Sequence, residues 1–269
     1  MVLEKKLVMT RNKINALIDE EHIKILFSIF KNKNLELRLV GGSIRDVLIN
    51  REITDIDAAT PLEPNDVLEL LDQNNIEYDD FAIRYGSVIA YPNNKKIQIT
   101  SLREDINQLG RHTSVLFTKD WKKDAARRDF TFNALYLDEN CKLYDYHKGQ
   151  KDLEAKTIKF IGEIEDRIKE DYLRIYRYFR FLGLFDLPLI NIKTQTIVEK
   201  YIHESLAVLT NDVIRQEVLK MFNMPYPLNC FYQSQVKFKW IEILKEHFIK
   251  TNYDLGLKKC LHKIDNIIN

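Results

Sequence analysis

Apolar positions in residues 9–31 fall mostly at helical spacing: Ile14, Leu17, Ile18, Ile23, Ile25, Leu26 and Ile29. That predicts a helical segment packed beneath a first strand. LELRLV (35–40) reads as that strand, followed by the turn Gly41-Gly42 and a short helix from Ser43, a favoured N-cap. ITDIDAAT (53–60) reads as a second strand, and PNDVLELLDQN as a helix opened by Pro64. RYGSVIAY (84–91) and KKIQITSL (95–102) predict a hairpin across Pro92-Asn93-Asn94. A polar loop, REDINQLGRH, leads to a helix near 119–127, and FTFNALYLD (130–138) predicts a further strand. From about 164 the pattern turns helical and mostly stays so, with FNMPYPLN (222–229) as the clearest interruption.

This order predicts an α+β protein: a head with a small mixed β-sheet, followed by an all-helical neck and body. The expected parts are an N-terminal helical segment (1–34), the head (35–160), a helical neck (161–222) and a short C-terminal helical segment (223–269). A chain of 269 residues that is 45% hydrophobic and 30% charged is an ordinary folded protein. Lys and Arg number 41 against 40 acids, a net charge of +1, so any nucleic-acid contact must come from local basic patches. Cys141, Cys230 and Cys260 are odd in number and far apart, with neither disulfide nor metal-ligand spacing. MVLEKKLVMTRNK lacks the apolar core of a signal peptide and no run approaches a membrane span, so a cytoplasmic protein is expected.

The chemistry concentrates in RLVGGSIRDVLINREITDIDAAT (38–60). On a strand, Asp55 and Asp57 would point the same way, roughly 6–7 Å apart along the backbone. Two such carboxylates repel unless a cation compensates, and Mg²⁺ suits them because it prefers oxygen ligands and substrate phosphates. Gly41 and Gly42 let backbone amides approach an anion, and Arg45, one turn on, is placed to pair with a phosphate. A solvated strand end beside an ordinary turn is the plainer alternative. A second cluster, WKKDAARRDFTFNALY (121–136), sets Arg127, Arg128 and Asp129 at a helix end before Asn133.

In IEDRIKEDYLRIYRYFRF (164–181), with Leu182, the stripe Ile168, Tyr172, Ile175, Phe179 and Leu182 predicts one amphipathic helix, with Arg174, Arg177 and Arg180 on its opposite face. Asp171 and Arg174 would then be neighbours at i and i+3. A carboxylate accepting from an amino group, beside a guanidinium donating to a ring nitrogen, matches the pairing edge of cytosine and of adenine. Guanine and uracil present a carbonyl where that amino group should be. A solvated basic face is the plainer alternative.

Taken together, GGSIRD…DID, RRDFTFNAL and the E-D-x-x-R motif Glu170, Asp171, Arg174 resemble the class II tRNA nucleotidyltransferases, the CCA-adding enzymes and bacterial poly(A) polymerases. The resemblance runs from about 36 to about 185. It implies a nucleotidyltransferase-type head and a two-metal site on Asp55 and Asp57 using Mg²⁺. It also implies nucleotide contacts at Gly42, Arg45, Arg128, Asp129, Asn133, Asp171, Arg174, Arg177 and Arg180. The implied activity is addition of CCA to the tRNA 3′ end from CTP and ATP. Polyadenylation, addition of CC or A alone, and a catalytically dead RNA-binding relative are the alternatives. Gln98 stands where the family often has a third acid, and Leu109 where an acid is common in the loop tied to terminal A addition. Only 84 residues follow Phe185, which predicts either a compact enzyme or a fragment. Residues 231–263 hold seven lysines against three acids, with interleaved aromatics. Lys237, Lys239 and Lys245 are therefore candidate contacts to the tRNA backbone.

Overall fold

The computed structural model describes residues 11–109, 112–233 and 236–251, with backbone alone at 106–109, 112–114, 233 and 236–237. It opens with helices α1 (11–18) and α2 (Glu21–Asn32), then β1 (Arg38–Val40), α3 (Gly42–Leu48), β2 (Asp57–Thr60) and α4 (Pro64–Gln73). β3 (Tyr78–Asp79), β4 (Ser87–Ala90), β5 (Ile97–Ser101), β6 (Arg103–Leu109) and β7 (His112–Phe117) follow. Then come α5 (Trp121–Ala126), β8 (Leu135–Leu137), β9 (Leu143–Asp145) and α6 (Gly149–Glu154). The later chain holds α7 (Ile164–Glu170), α8 (Leu173–Leu182), α9 (Ile192–Lys200), α10 (Ile202–Val208) and α11 (Asn211–Phe222). It closes with β10 (Tyr232–Gln233), β11 (Val236–Lys237) and α12 (Lys239–Lys250).

The described chain divides into two compact units: residues up to 107 with 113–153, and residues 108–112 with 154 onward. In the first unit a seven-stranded sheet runs β3-β4-β5-β2-β1-β8-β9. Only β2 and β5 pair in parallel, so the sheet is mixed as expected. β1 lies inside the sheet, and Leu39 and Val40 are buried. β5 alternates: Ile97, Ile99 and Ser101 face the core, while Gln98 and Thr100 stay half-exposed. On α2, His22, Ile23, Leu26, Phe27, Ile29 and Phe30 make the buried stripe, each large apolar side chain adding about 2 kcal/mol of burial. Pro64 occupies the first turn of α4, where no amide partner is needed.

The second unit is almost all helical. α8 is buried nearly all round, at Arg174, Ile175, Tyr176, Tyr178, Phe179, Phe181 and Leu182, and it packs on α11. Trp240 and Phe248 of α12, with Phe238 just before it, are also buried, and Trp240 lies 5.3 Å from the ring of Phe179.

Several local expectations change, among them the N-cap of α3, which is Gly41 rather than Ser43. The loop expected over REDINQLGRH is strand over Arg103–Leu109, because β6 pairs with β7 (His112–Phe117). FTFNALYLD is strand only at β8; Thr131–Asn133 is a 3₁₀ turn. The C-terminal segment enters its helix through the β10–β11 hairpin. The single helix expected over 164–181 is two helices, broken where Asp171 takes φ −149° and its Oδ1 accepts the Leu173 amide at 3.0 Å. Asp competes for backbone in this way, which suits it to helix starts. Lys258, Lys259, Lys263 and Cys260 lie outside the described residues.

Gly149 shows how tightly the first unit is closed. A Cβ there would sit 2.3 Å from the Thr131 carbonyl oxygen, in backbone that cannot swing away. Gly149→Ala should therefore cost about 2 kcal/mol, a fall of roughly 5 °C in Tm. An unchanged melting curve would show that the 131–133 turn shifts freely.

Candidate functional site

The first unit gathers its polar side chains around the glycine turn. Gly41, with φ +77°, caps α3 and donates its amide to the Leu135 carbonyl at 3.0 Å, tying the turn to β8. A Cβ on Gly41 would lie 3.5 Å from the Asn133 carbonyl oxygen and 3.7 Å from Arg128 Nη1. One on Gly42 would lie 3.6 Å from Arg45 Nη2. Glycine is thus required at Gly41 by backbone angle, and two guanidinium groups border the turn.

The two arginines differ. Arg45 is buried; its Nε and Nη2 reach the two Asp46 oxygens at 2.9 and 3.0 Å, and its Nη1 reaches Asn133 Oδ1 at 2.8 Å. Asn133 in turn donates to Asp129 Oδ1 at 2.9 Å, which also accepts the Phe130 amide at 2.8 Å. Arg45, Asp129 and Asn133 therefore form one brace behind the turn. Arg128 is held differently, by a carboxylate that the sequence reading did not single out. Asp124 is fully buried and its Oδ2 accepts from Arg128 Nη2 at 3.1 Å and from the Tyr136 hydroxyl at 2.7 Å. Its Oδ1 accepts from Arg127 Nε at 2.8 Å. Burial alone would push the Asp124 carboxyl up, but Arg128 and Arg127 bring it down to about 2. Burial also works against the Arg128 charge, and the Tyr136 and Asp124 oxygens more than offset it, holding it above its ordinary value.

β2 begins at Asp57, and Asp55 precedes it in irregular chain, so strand alternation does not place the pair. They still interact: burial raises the Asp57 carboxyl, Arg128 opposes this, and Asp55 raises it further. Asp55 is exposed and Asp57 half-buried. Gln98 is the partner of Asp57 in the parallel β2–β5 pair, so its amide shares that face. Two carboxylates and an amide oxygen are a hard-donor set that suits a divalent cation, whose charge would relieve the strain on Asp57. Nucleotidyltransferases generally use divalent metals.

In the second unit, Arg174 turns back from α8 onto α7. Its Nη1 donates to the Arg167 carbonyl and to Glu170 Oε2, both at 2.8 Å, and Glu170 also pairs with Arg167. Arg174 is buried and Arg177 and Arg180 are half-buried, so the plainer alternative of a solvated basic face does not hold for all three. Arg180 pairs with the buried Glu217 at 3.2 Å, and Arg177 and Arg180 lie 5.4 and 4.7 Å over the Phe181 ring. Asp171 is half-buried, its Oδ1 occupied by the Leu173 amide. Of the candidate tail lysines, Lys239 is exposed, whereas Lys245 is 12% exposed and 3.6 Å from Glu242. The Lys237 side chain lies outside the described residues.

Residues 37–159 match the family model of the poly A polymerase head domain. The head's relatives extend the likeness. CCA tRNA nucleotidyltransferase 1, mitochondrial, of Homo sapiens is 42% identical over 170 residues, 62% of this chain and 39% of that protein. The CCA-adding enzyme of Listeria innocua is 32% identical over 225 residues, 83% of this chain and 50% of the relative. The chain thus spans half or less of the length of these relatives. The structure of the Bacillus stearothermophilus CCA-adding enzyme in complex with CTP superposes with TM-score 0.69 at 26% identity, over 79% of this chain and 51% of that one. A tRNA nucleotidyltransferase complexed with a primer tRNA and an incoming ATP analogue shares the fold, with TM-score 0.62 at 22% identity, over 85% of this chain and 62% of that one. The mixed sheet and helical remainder agree with that fold. Among the described residues no helix is long and apolar enough to cross a membrane.

Asp124 also generates a pH prediction. Its folded pKa of about 2 lies below the ordinary 3.8, so its contribution is full above pH 4 and is lost as pH falls through about 2. That contribution is about 2 kcal/mol. Urea unfolding of Asp124→Asn between pH 4 and pH 2 should show a correspondingly flatter loss of stability than the parent chain. Equal slopes in both proteins would place the acid sensitivity elsewhere.

Proposed function

We propose that this chain adds CCA to the 3′ end of tRNA, using CTP and ATP. The observation that carries the reading is the 42% identity over 170 residues to a protein named as a CCA tRNA nucleotidyltransferase. It is supported by a head-domain match whose span, 37–159, includes Asp55, Asp57, Arg128 and Asn133. The tRNA 3′-hydroxyl attacks the α-phosphate of the nucleotide and pyrophosphate leaves. Asp55 and Asp57 would hold Mg²⁺, chosen because both offer hard carboxylate oxygens. When bound, the metal supplies Lewis-acid charge to the reacting phosphate.

The chain's own groups do the rest. Arg128, its Nη1 against the glycine turn, neutralises the triphosphate, and glycine at 41 and 42 lets that anion approach the backbone. Arg45, with Asp129 and Asn133, keeps the turn rigid from behind. Base choice falls to Asp171 and Arg174. The carboxylate accepts from the amino group of cytosine or adenine, and the guanidinium donates to the adjoining ring nitrogen. Arg177 and Arg180 add positive charge along α8, and the exposed Lys239 contacts the tRNA backbone.

The direct test is to sequence the products from a tRNA lacking CCA, incubated with all four nucleoside triphosphates and Mg²⁺. Addition of C, C and A alone is expected. A run of A would instead make the chain a poly(A) polymerase, and CC or a single A would make it a partial-addition enzyme. Asp57→Asn should keep the fold and lose turnover by several orders of magnitude. Near-parental incorporation would remove the carboxylate pair from the mechanism.

Asp171→Ala should raise UTP and GTP incorporation relative to CTP and ATP by about tenfold, because the buried polar match no longer excludes a carbonyl. Competition among the four nucleotides measures it. Unaltered discrimination would move base choice to other residues.

A further inference from the structure

A guanidinium on a long side chain can neutralise a phosphate from many angles, but it aids one geometry only if its plane is fixed. We propose that Asp124 is a positioning residue that aims Arg128 at the triphosphate of the bound nucleotide. The proposal rests on the triphosphate role given to Arg128 above. Asp124 lies within α5, fully buried, four residues before Arg128. Its Oδ2 accepts from Arg128 Nε at 3.3 Å and Nη2 at 3.1 Å, so it grips one edge of the guanidinium. The Tyr136 hydroxyl closes the same edge: it accepts from Arg128 Nε at 3.1 Å and donates to Asp124 Oδ2 at 2.7 Å. Tyr136 itself is fully buried on β8 beside β1.

Because the guanidinium is a rigid planar fork, fixing the Nε–Nη2 edge fixes where Nη1 points. Nη1 is thereby set against Gly41, 3.7 Å from where a side chain there would begin. Asp124 Oδ1 holds Arg127 Nε at 2.8 Å, so the carboxylate is anchored from its other side and cannot follow Arg128 if it swings. Nothing in this arrangement requires Asp124 to touch nucleotide.

The test measures binding of CTP and of inorganic tripolyphosphate by calorimetry, and kcat on tRNA lacking CCA, for the full chain. Asp124→Asn, Tyr136→Phe, Arg128→Ala and the double variant Asp124→Asn/Arg128→Ala are compared, each checked for a folding transition. Asp124→Asn should weaken both ligands about tenfold while kcat falls less, and should add nothing further when Arg128 is already alanine. Tyr136→Phe should weaken both about threefold, and it decides the matter if Asp124→Asn does not fold. A lowered Tm with unchanged ligand affinity, or an equal loss in the Arg128→Ala background, would leave Asp124 as a structural residue only and overturn the proposal. Tripolyphosphate binding untouched by Arg128→Ala would instead remove the triphosphate role of Arg128 itself.

Discussion

The first unit depends on one buried carboxylate. Asp124 has no exposed surface, yet it is ionised, because two guanidinium groups and a phenol surround it. Removing one partner of such a cluster strands the others in low dielectric, commonly at about 3–5 kcal/mol. The cluster ties α5, the following turn and β8 together, and β8 in turn receives the Gly41 amide. The glycine turn is therefore shaped by a charge network as much as by apolar packing.

The same device recurs with different parts. Arg45 is backed by Asp46, Arg174 by Glu170 and Arg180 by Glu217. In each case the guanidinium is turned inward and given a carboxylate, so its remaining donors keep a set direction. Preorganised charge of this kind needs no reorganisation when charge develops on a substrate, which is where electrostatic catalysis gains most. A mobile surface arginine would have to surrender its rotamer freedom on each encounter.

How much of this was legible in the sequence depends on the range of the interaction. The β4–β5 hairpin was legible because Pro92-Asn93-Asn94 separates two apolar-rich runs, and the structure pairs Ser87–Ala90 with Ile97–Ser101. The glycine turn and Arg128 stood out through local motif. Strand alternation was expected to set Asp55 and Asp57 on one face, but the strand starts at Asp57 and Asp55 lies in the irregular chain before it. The break at Asp171 had a local signal, an Asp inside a helical pattern, that the apolar stripe overrode. Asp124 was missed because a carboxylate near two arginines reads as a solvated helix end. One of its partners, the Tyr136 hydroxyl, lies twelve residues away on a strand. Glu217 was missed for the same reason at longer range.

That pairing also bears on the near-zero net charge. With 41 basic and 40 acidic side chains, the chain has little long-range field to attract a polyanion. The arginine pairings show where part of that balance arises: the cations nearest the proposed chemistry carry an acid inward with them. Attraction for phosphate must then act at short range, after the ligand has reached the turn, where desolvation strengthens each contact. A site built this way gives up speed of encounter and gains selectivity for anions that fit. The demand falls on geometry, and the buried carboxylates are what hold it.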